Sequence, residues 1–195
     1  ETIDWTYLNK TTTEADGGYG FDNLVAGWYK VVEVLEDGWT QIFGGENIFS
    51  IGMGETYGDD ENETKSDLGN FKNGSISGYK WDDRDGKGTW DKPEEVGLPG
   101  WKIFLDKNDN KTYENGEVST VTATDGSYSF GNLAPGTYSV CEVQQTGWDE
   151  TYPGLNTCHA VIIDQSGEAN PDTNFGNQGF GTLQIKKKVV STEGF

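Results

Sequence analysis

The sequence predicts an all-β protein made of two related modules, and three observations carry that reading. The segment Asp125-Gly-Ser-Tyr-Ser-Phe-Gly-Asn-Leu-Ala-Pro-Gly-Thr-Tyr-Ser-Val-Cys-Glu-Val143 repeats Asp16-Gly-Gly-Tyr-Gly-Phe-Asp-Asn-Leu-Val-Ala-Gly-Trp-Tyr-Lys-Val-Val-Glu-Val34 after 109 positions, and self-similarity at a long period marks modules strung in an array. Within each copy, Tyr19/Phe21 and Tyr128/Phe130 alternate with small residues. An Asn-Leu-x-x-Gly turn follows, and Tyr29/Val31 and Tyr138/Val140 resume the period of two that strands require. Finally, the chain of 195 residues holds 28 Gly and no stretch with sustained helical periodicity.

The echo continues through Gly38-Trp39 and Gly147-Trp148 to Asn70-Phe71 and Asn174-Phe175. It divides the chain into an incomplete module over residues 1–75, a complete one over 76–177, and a linker with a strand over 178–195. Ile3–Lys10 resembles Trp101–Lys107, a strand that in the complete module follows another, Ile76–Trp81; nothing before Glu1 plays that part. Gly181–Val190 reads as the missing opening strand, with Leu183, Ile185 and Val189 alternating on one face. The ends are therefore expected to complement each other. Either one copy donates its last strand to the next, a heterologous contact that grows filaments, or the chain is one period of a longer polypeptide. Without an acceptor the strand's backbone groups lack partners, and it is expected to hold no fixed structure. The acidic stretch Gly52–Asp67 reads as a surface loop.

With 14 basic against 33 acidic residues the net charge is −19, which argues against nucleic acid or an anionic membrane as a partner and favours divalent cations. No apolar run is long enough to span a bilayer. Cys141 and Cys158 stand in strands of the same repeat at a separation that fits a cross-strand disulfide; an ordinary buried cysteine pair is the alternative, since Val32 occupies the position of Cys141 in the first copy.

Two acidic loops space their oxygens as calcium loops do. In the first, Asp83, Asp85, Lys87, Thr89 through its carbonyl, Asp91 and Glu94 fall at positions 1, 3, 5, 7, 9 and 12, with Gly88 at the sharp turn and a lysine where position 5 normally carries a ligand. In the second, Asp106, Asn108, Asn110, the Thr112 carbonyl, Glu114 and Glu117 keep the same spacing, with Lys111 in place of the turn glycine. Both loops are flanked by strands, so calcium would be structural; solvated Asx-rich turns are the alternative.

A sharper signal is charge on faces that should be apolar. Stepping by two places Lys80 in line with Ile76 and Gly78, Lys187 with Leu183 and Ile185, Glu142 with Tyr138 and Val140, and Glu33 with Tyr29 and Val31. A lone buried lysine or glutamate costs several kcal/mol, so the opposite charges are expected to meet. With Asn174 or Asn70 on the last strand, each module would hold a Lys, a Glu and an Asn in one apolar core. Desolvation there favours a neutral amine and a protonated carboxyl, the ingredients of a Lys–Asn isopeptide bond formed once and without turnover. A buried salt bridge with an amide hydrogen bond is the alternative.

The residues Ile76-Ser-Gly-Tyr-Lys-Trp-Asp-Asp83, Gly97–Asp106, Thr124–Phe130, Pro135–Glu142 and Asn174-Phe-Gly-Asn177 resemble the B-type repeats of serine-aspartate surface adhesins and the related collagen-adhesin B-type domains. The resemblance implies a prealbumin-like β-sandwich, calcium in the acidic loops, and in many collagen-adhesin domains a Lys–Asn bond promoted by an acid. Carried over, Lys80, Glu142 and Asn174 take those roles in the complete module. Glu33 and Asn70 take them in the incomplete one, with Lys187 of a neighbour, or Lys186 or Lys188 in a shifted register.

The sequons at Asn9, Asn62, Asn73 and Asn110 permit glycosylation of a secreted surface. His159 stands alone and reads as packed, not catalytic, and no Ser/His/Asp arrangement, zinc spacing or phosphate loop is present. The functional expectation is a structural subunit of an extracellular filament or stalk, built from copies of itself and not an enzyme. A competing expectation is an adhesin or carbohydrate-binding module that would display some of its seven Trp to surface glycans.

Overall fold

A computed structural model describes residues 4–45, 47–56 and 67–187. The chain divides into two compact units, Glu1–Lys72 and Asn73–Phe195, close to the boundary expected from the repeat. All regular structure among the described residues is β, and none of it is a helix long and apolar enough to cross a membrane.

The first unit contains two separate antiparallel pairs: β1 (Gly27–Val31) with β3 (Asn47–Ile51), and β2 (Trp39–Phe43) with β4 (Gly69–Lys72). Among its described residues the buried apolar ones are Phe49 and Phe71. The strands expected at 3–10 and around Tyr19 and Phe21 are not formed over the described residues: 4–26 carry no strand, and Trp5, Tyr7 and Leu8 are exposed. Tyr19 and Phe21 meet edge to face at 6.3 Å, but their backbone has no ladder to join.

The second unit explains why. Its first sheet is organised on β5 (Gly74–Asp82), the longest strand, which continues the chain directly from β4. Within its second sheet, β6 (Lys102–Asp106) pairs with β7 (Ser119–Val121). Returning to the first sheet, β8 (Ser127–Leu133) is the counterpart of residues 18–24 and takes all of its strand pairing from β5. The first unit has no described counterpart of β5, so the same alternating sequence there has no strand to pair with, and Gly18 instead bonds locally, its N–H to Asp16 and its carbonyl to the Glu14 N–H. The inner face of β6, with Ile103 and Leu105, closes against the β5 sheet; the corresponding residues 4–10 have no such face to bury against.

The remaining strands complete a two-layer sandwich. β9 (Gly136–Glu142) pairs with β6 on one side and with β11 (His159–Ile163) on the other, giving the second sheet the order β11-β9-β6-β7. β10 (Trp148–Tyr152) joins the first sheet through β13 (Phe175–Gly179), which runs parallel to the end of β5, while β12 (Ala169–Asn170) runs parallel to its start. β13 thus extends two residues past the expected module end at 177. Between the layers lie Ile76, Ile103, Leu105, Tyr128, Phe130, Val140, Ile163 and Phe175; fully burying an aliphatic or phenyl side chain contributes about 1.5–3 kcal/mol each. Two glycines permit close approaches: a Cβ on Gly78 would lie 1.9 Å from the Thr173 carbonyl oxygen, and one on Gly176 would lie 2.6 Å from the Trp81 ring.

Candidate cross-linking core and acidic loops

Lys80 enters the sandwich from β5 and is completely buried. It does so because Ile76, Gly78 and Lys80 share a face of a strand whose alternate residues all point to the core. Its ammonium lies 2.9 Å from Glu142 Oε2, an ion pair without the alignment of a hydrogen bond, and donates to the Asn177 amide oxygen. The Asn177 amide nitrogen donates to Glu142 Oε1 at 2.7 Å, closing a three-residue ring of contacts across the two sheets. The Trp101 ring centre stands 4.5 Å from Nζ. Burial pulls the Lys80 amine down to about 8 against the opposing pull of Glu142, and burial pushes the Glu142 carboxyl up. Both shifts favour the neutral pair.

The asparagine of this site is Asn177 and not Asn174. Asn174 accepts the Tyr79 N–H at 2.8 Å through its side chain and gives its carbonyl to His159 Nε2 at 2.7 Å. The reason is parity: Phe175 pairs with Lys80 and Asn177 with Asp82 on the core face, so Asn174 falls on the opposite side of its strand. Matching Asn-Phe in the two modules set the wrong frame. The register of β10 with β13 places Glu150 opposite Asn177, as β2 with β4 places Gln41 opposite Asn70, so Leu68-Gly69-Asn70 corresponds to Phe175-Gly176-Asn177. That apolar-Gly-Asn signal was present in the sequence.

In this frame Asn70 corresponds to Asn177. Its amide donates to Glu33 Oε1, as Asn177 donates to Glu142. The other oxygen, Glu33 Oε2, is buried without a hydrogen-bond partner; its equivalent in the second unit faces the Lys80 ammonium. Lys187, the lysine expected there, sits in an exposed segment without regular structure, where Leu183 and Ile185 are 84% and 83% exposed. Lys188 lies outside the described residues.

The two acidic loops are one motif used twice. In each, the first aspartate accepts the N–H five residues on: Asp83 Oδ2 from Gly88 at 2.6 Å, and Asp106 Oδ2 from Lys111 at 2.7 Å. In each, a closing glutamate accepts two N–H groups, from Arg84 and Asp91 for Glu95, and from Lys107 and Glu114 for Glu117, all at 2.9–3.0 Å. The first loop therefore closes on buried Glu95, whereas Glu94 is exposed. The extra residue between Asp91 and the closing acid shifts the spacing by one. Lys111 occupies the glycine position by adopting φ 59°. The eighth residue of each loop is an aromatic that folds the loop over the outer face of its sheet: Trp90 stacks on Trp81 at 5.7 Å, and Tyr113 meets Phe104 at 5.7 Å.

The donor sets are oxygen-rich, as calcium requires. Asp83, Asp85 and Glu95 bring carboxylate oxygens within 4.8 Å of one another. Lys87, however, lays its ammonium 2.5 Å from Asp85 and 4.0 Å from Asp91, so it brings a cation and no ligand. Thr89 is exposed beside them. In the second loop, Asn108 and Asn110 hydrogen-bond Glu114 through their amides at 3.2 and 3.1 Å, and Thr112 N–H donates to Asn110. Lys111 turns its ammonium away to the Asn156 carbonyl at 3.2 Å. The second loop has no ammonium against its carboxylates, but the acidic-loop carboxylates that converge within 4.8 Å are those of the first loop.

Cys141 and Cys158 form the expected disulfide, joining β9 to the entry of β11. Asn9 is exposed, Asn73 donates to Asn132, Asn110 is engaged with Glu114, and Asn62 lies outside the described residues. His159 packs against Phe175 and Tyr152. Trp81 stacks on Trp90, with Tyr79 and Tyr152 tilted against them and the Lys92 ammonium 3.6 Å from the Trp90 ring centre.

The second unit is thus a disulfide-tied β-sandwich with a charged trio in its core and acidic loops on its flanks. Residues 74–180 match the SdrD B-like domain family, and the chain belongs to that family. It is 33% identical over 163 residues to serine-aspartate repeat-containing protein D of Staphylococcus aureus, a match covering 79% of this chain and 12% of that protein. It is also 27% identical over 136 residues to Colossin-A of Dictyostelium discoideum, covering 69% of this chain and 1% of that one. The chain thus spans about an eighth or less of these relatives' length. Among solved structures, the minor pilin GBS52 of Streptococcus agalactiae gives a TM-score of 0.40 at 18% identity, covering 60% of this chain and 49% of that one. BcpA, the major pilin subunit of Bacillus cereus, gives 0.39 at 18%, covering 58% and 34%. The family and fold are those of structural, adhesin-like domains with an extracellular or cell-surface location.

Proposed function

We propose that the chain is a load-bearing segment of an extracellular stalk or filament whose second unit locks itself with a Lys80–Asn177 isopeptide bond. The observation that carries this reading is the buried ring of Lys80, Glu142 and Asn177. A single carboxylate touches both nitrogens, with Oε2 near Nζ and Oε1 on Nδ2. Glu142 takes one proton from Nζ, freeing its lone pair to attack the Asn177 Cγ. As the Cγ–Nδ2 bond breaks, Glu142 passes that proton to the leaving nitrogen and takes a second from Nζ, so ammonia departs and an amide remains. The bond joins β5 to β13 across neighbouring strands, where a pulling force would otherwise peel them apart. The chemistry occurs once per molecule and has no turnover.

Calcium held by Asp106, Asn108, Asn110, the Thr112 carbonyl, Glu114 and Glu117 stiffens the second loop, and a site in the first loop uses Asp83, Asp85 and Glu95. A calcium ion supplies charge neutralisation and fixed oxygen geometry. In the first unit, Glu33 and Asn70 form the receiving half of the same trio, and the lysine comes from a strand of another copy or an adjoining module. Lys187, in line with Leu183 and Ile185, has the required pattern. Copies joined in this way propagate end to end.

Intact mass spectrometry of the denatured, reduced protein tests the reading. A monomer lighter by one ammonia supports the Lys80–Asn177 bond, and Lys80→Met restores the full mass. A covalent ladder abolished by Lys187→Arg supports joining through Asn70. A full-mass monomer refutes the covalent reading.

A further inference from the structure

Residues 14–29 of the first unit have the local shape of the segment that holds β8, without its sheet. In the turn that enters it, the Glu14 N–H donates to the Gly18 carbonyl and the Gly17 N–H to the Glu14 carbonyl, with Gly17 at φ 89°. Ala123, Gly126 and Ser127 make the same two bonds in the second unit, with Gly126 at φ 82°. Asp16 accepts the Gly18 N–H as Asp125 accepts that of Ser127, both at 3.0 Å. At the exit, Asn23 and Asn132 stand at φ 58° and 59°, and the Tyr29 and Tyr138 hydroxyls each donate to the carbonyl four residues back. Between the turns, Tyr19 and Phe21 meet edge to face at 6.3 Å, as Tyr128 and Phe130 do at 5.9 Å. Only the neighbour differs. β8 lies along β5, and a Cβ on Gly126 would come within 2.2 Å of the Lys80 carbonyl oxygen, whereas one on Gly17 would meet nothing within 4 Å.

We propose that Gly18–Leu24 is a preformed docking strand for residues 181–187 of a second copy, which pair antiparallel with it on one side and parallel with β4 on the other. The inference rests on the strand-joining reading above and adds the receiving surface and its register. Lys187 follows Asn177 by ten residues, as Lys80 follows Asn70, so the tail stands to the second unit as β5 stands to the first. Aligning Lys187 with Lys80 fixes the rest. β5 sets Ile76 opposite Phe130, Ser77 opposite Ser129 and Tyr79 opposite Ser127, so Leu183 falls opposite Phe21, Gln184 opposite Gly20 and Lys186 opposite Gly18. β13 sets Phe175 beside Lys80, so Lys187 falls beside Leu68 and brings its ammonium to Glu33 Oε2, which is buried without a hydrogen-bond partner. Among the described residues β4 has β2 as its one strand partner, and its other edge receives the tail. The half-buried Tyr19, Phe21 and Leu24 gain the cover that Tyr128, Phe130 and Leu133 have in the second unit, and Leu183 and Ile185 lose their exposure. Apolar burial and a completed ladder are what a strand gains by joining a sheet. On the inward face the one departure is Ile185 in the place of Gly78, whose close neighbour is Thr173; the counterpart of Thr173, Ser66, lies outside the described residues.

The test is thiol capture between separately produced full-length chains. Gly20→Cys and Gln184→Cys, both at exposed positions on the outward face, are mixed, oxidised and scored for a heterodimer by intact mass. In the proposed register the two thiols stand on directly opposed residues, within reach of a disulfide. Gly20→Cys mixed with Lys186→Cys is out of register by two residues and is expected to lose the capture, and Gly18→Cys mixed with Lys186→Cys to regain it. Amide exchange on the unaltered chain is the second measurement. Protection of residues 18–24 is expected to rise with protein concentration, and the rise to disappear when Leu183→Asn and Ile185→Asn are combined. Equal capture by matched and mismatched pairs overturns the proposal, as does a failure of both matched pairs. Protection that does not change with concentration also overturns it, since the tail would then lie on its own first unit or on none. Matched capture by chains that never form a covalent ladder supports the docking strand and refutes the cross-link to Asn70. A ladder through Lys187 without matched capture does the reverse.

Discussion

Glu142→Gln probes the centre of the second unit. The substitution keeps side-chain size and an amide oxygen near Asn177, but removes the anion 2.9 Å from a lysine that is fully buried. Breaking one partner of a buried pair costs about 3–5 kcal/mol, because the remaining charge is left uncompensated in a poor solvent for it. Lys80 can shed its proton, its amine already lowered to about 8 by burial, and each further pKa unit of that escape is worth about 1.4 kcal/mol. For a unit of this size, about 3–5 kcal/mol corresponds to a fall in melting temperature of roughly 10–25 °C. The assay is thermal unfolding followed by tryptophan fluorescence, with intact mass measured on the same sample. The expected result is a destabilised protein that retains its ammonia. A loss of less than about 1 kcal/mol, or a variant that still sheds ammonia, refutes the placement of Glu142 between the two nitrogens.

The other outcomes are simpler to state. Replacing both Cys141 and Cys158 by Ala opens a cross-link of sequence separation 17 and should cost about 3 kcal/mol in urea unfolding on the loop-closure account. Calcium at about 100 times its dissociation constant should add about 2.7 kcal/mol, a gain that Asp106→Asn abolishes and Lys87→Gln increases by freeing Asp85. Gly176→Ala forces a Cβ to within 2.6 Å of the Trp81 ring and should destabilise by about 1–3 kcal/mol with a changed tryptophan emission. Glu150 has its folded-state carboxyl raised from 4.5 to about 7, so its contribution to stability is fully present below 4.5 and is lost as pH rises through about 7. Urea midpoints across that window should decline with pH in wild type and decline less in Glu150→Gln.

The sequence by itself determined the strand alternation, the repeat and the out-of-place Lys80, Glu142 and Glu33, because each is a local pattern or a comparison between two copies of one segment, whereas the Cys141–Cys158 bond stayed open until the strands were paired. A period of two is enough to show that a lysine points inward. It does not show which asparagine meets it: Asn174, just before β13, and Asn177, within it, stand three apart and face opposite ways, and only the pairing of that strand with β5 and β10 fixed the choice. The same holds for Glu95 against Glu94, where one extra loop residue moved the closing acid. Glu150 was passed over because its burial opposite Asn177 comes from the β10–β13 register and not from its own neighbours. The first unit shows the limit most clearly: Gly18–Leu24 carries the pattern of β8 but forms no strand, since a strand's hydrogen bonds belong to its partner as much as to itself. Local sequence sets which face a residue presents, and tertiary pairing sets what that face meets.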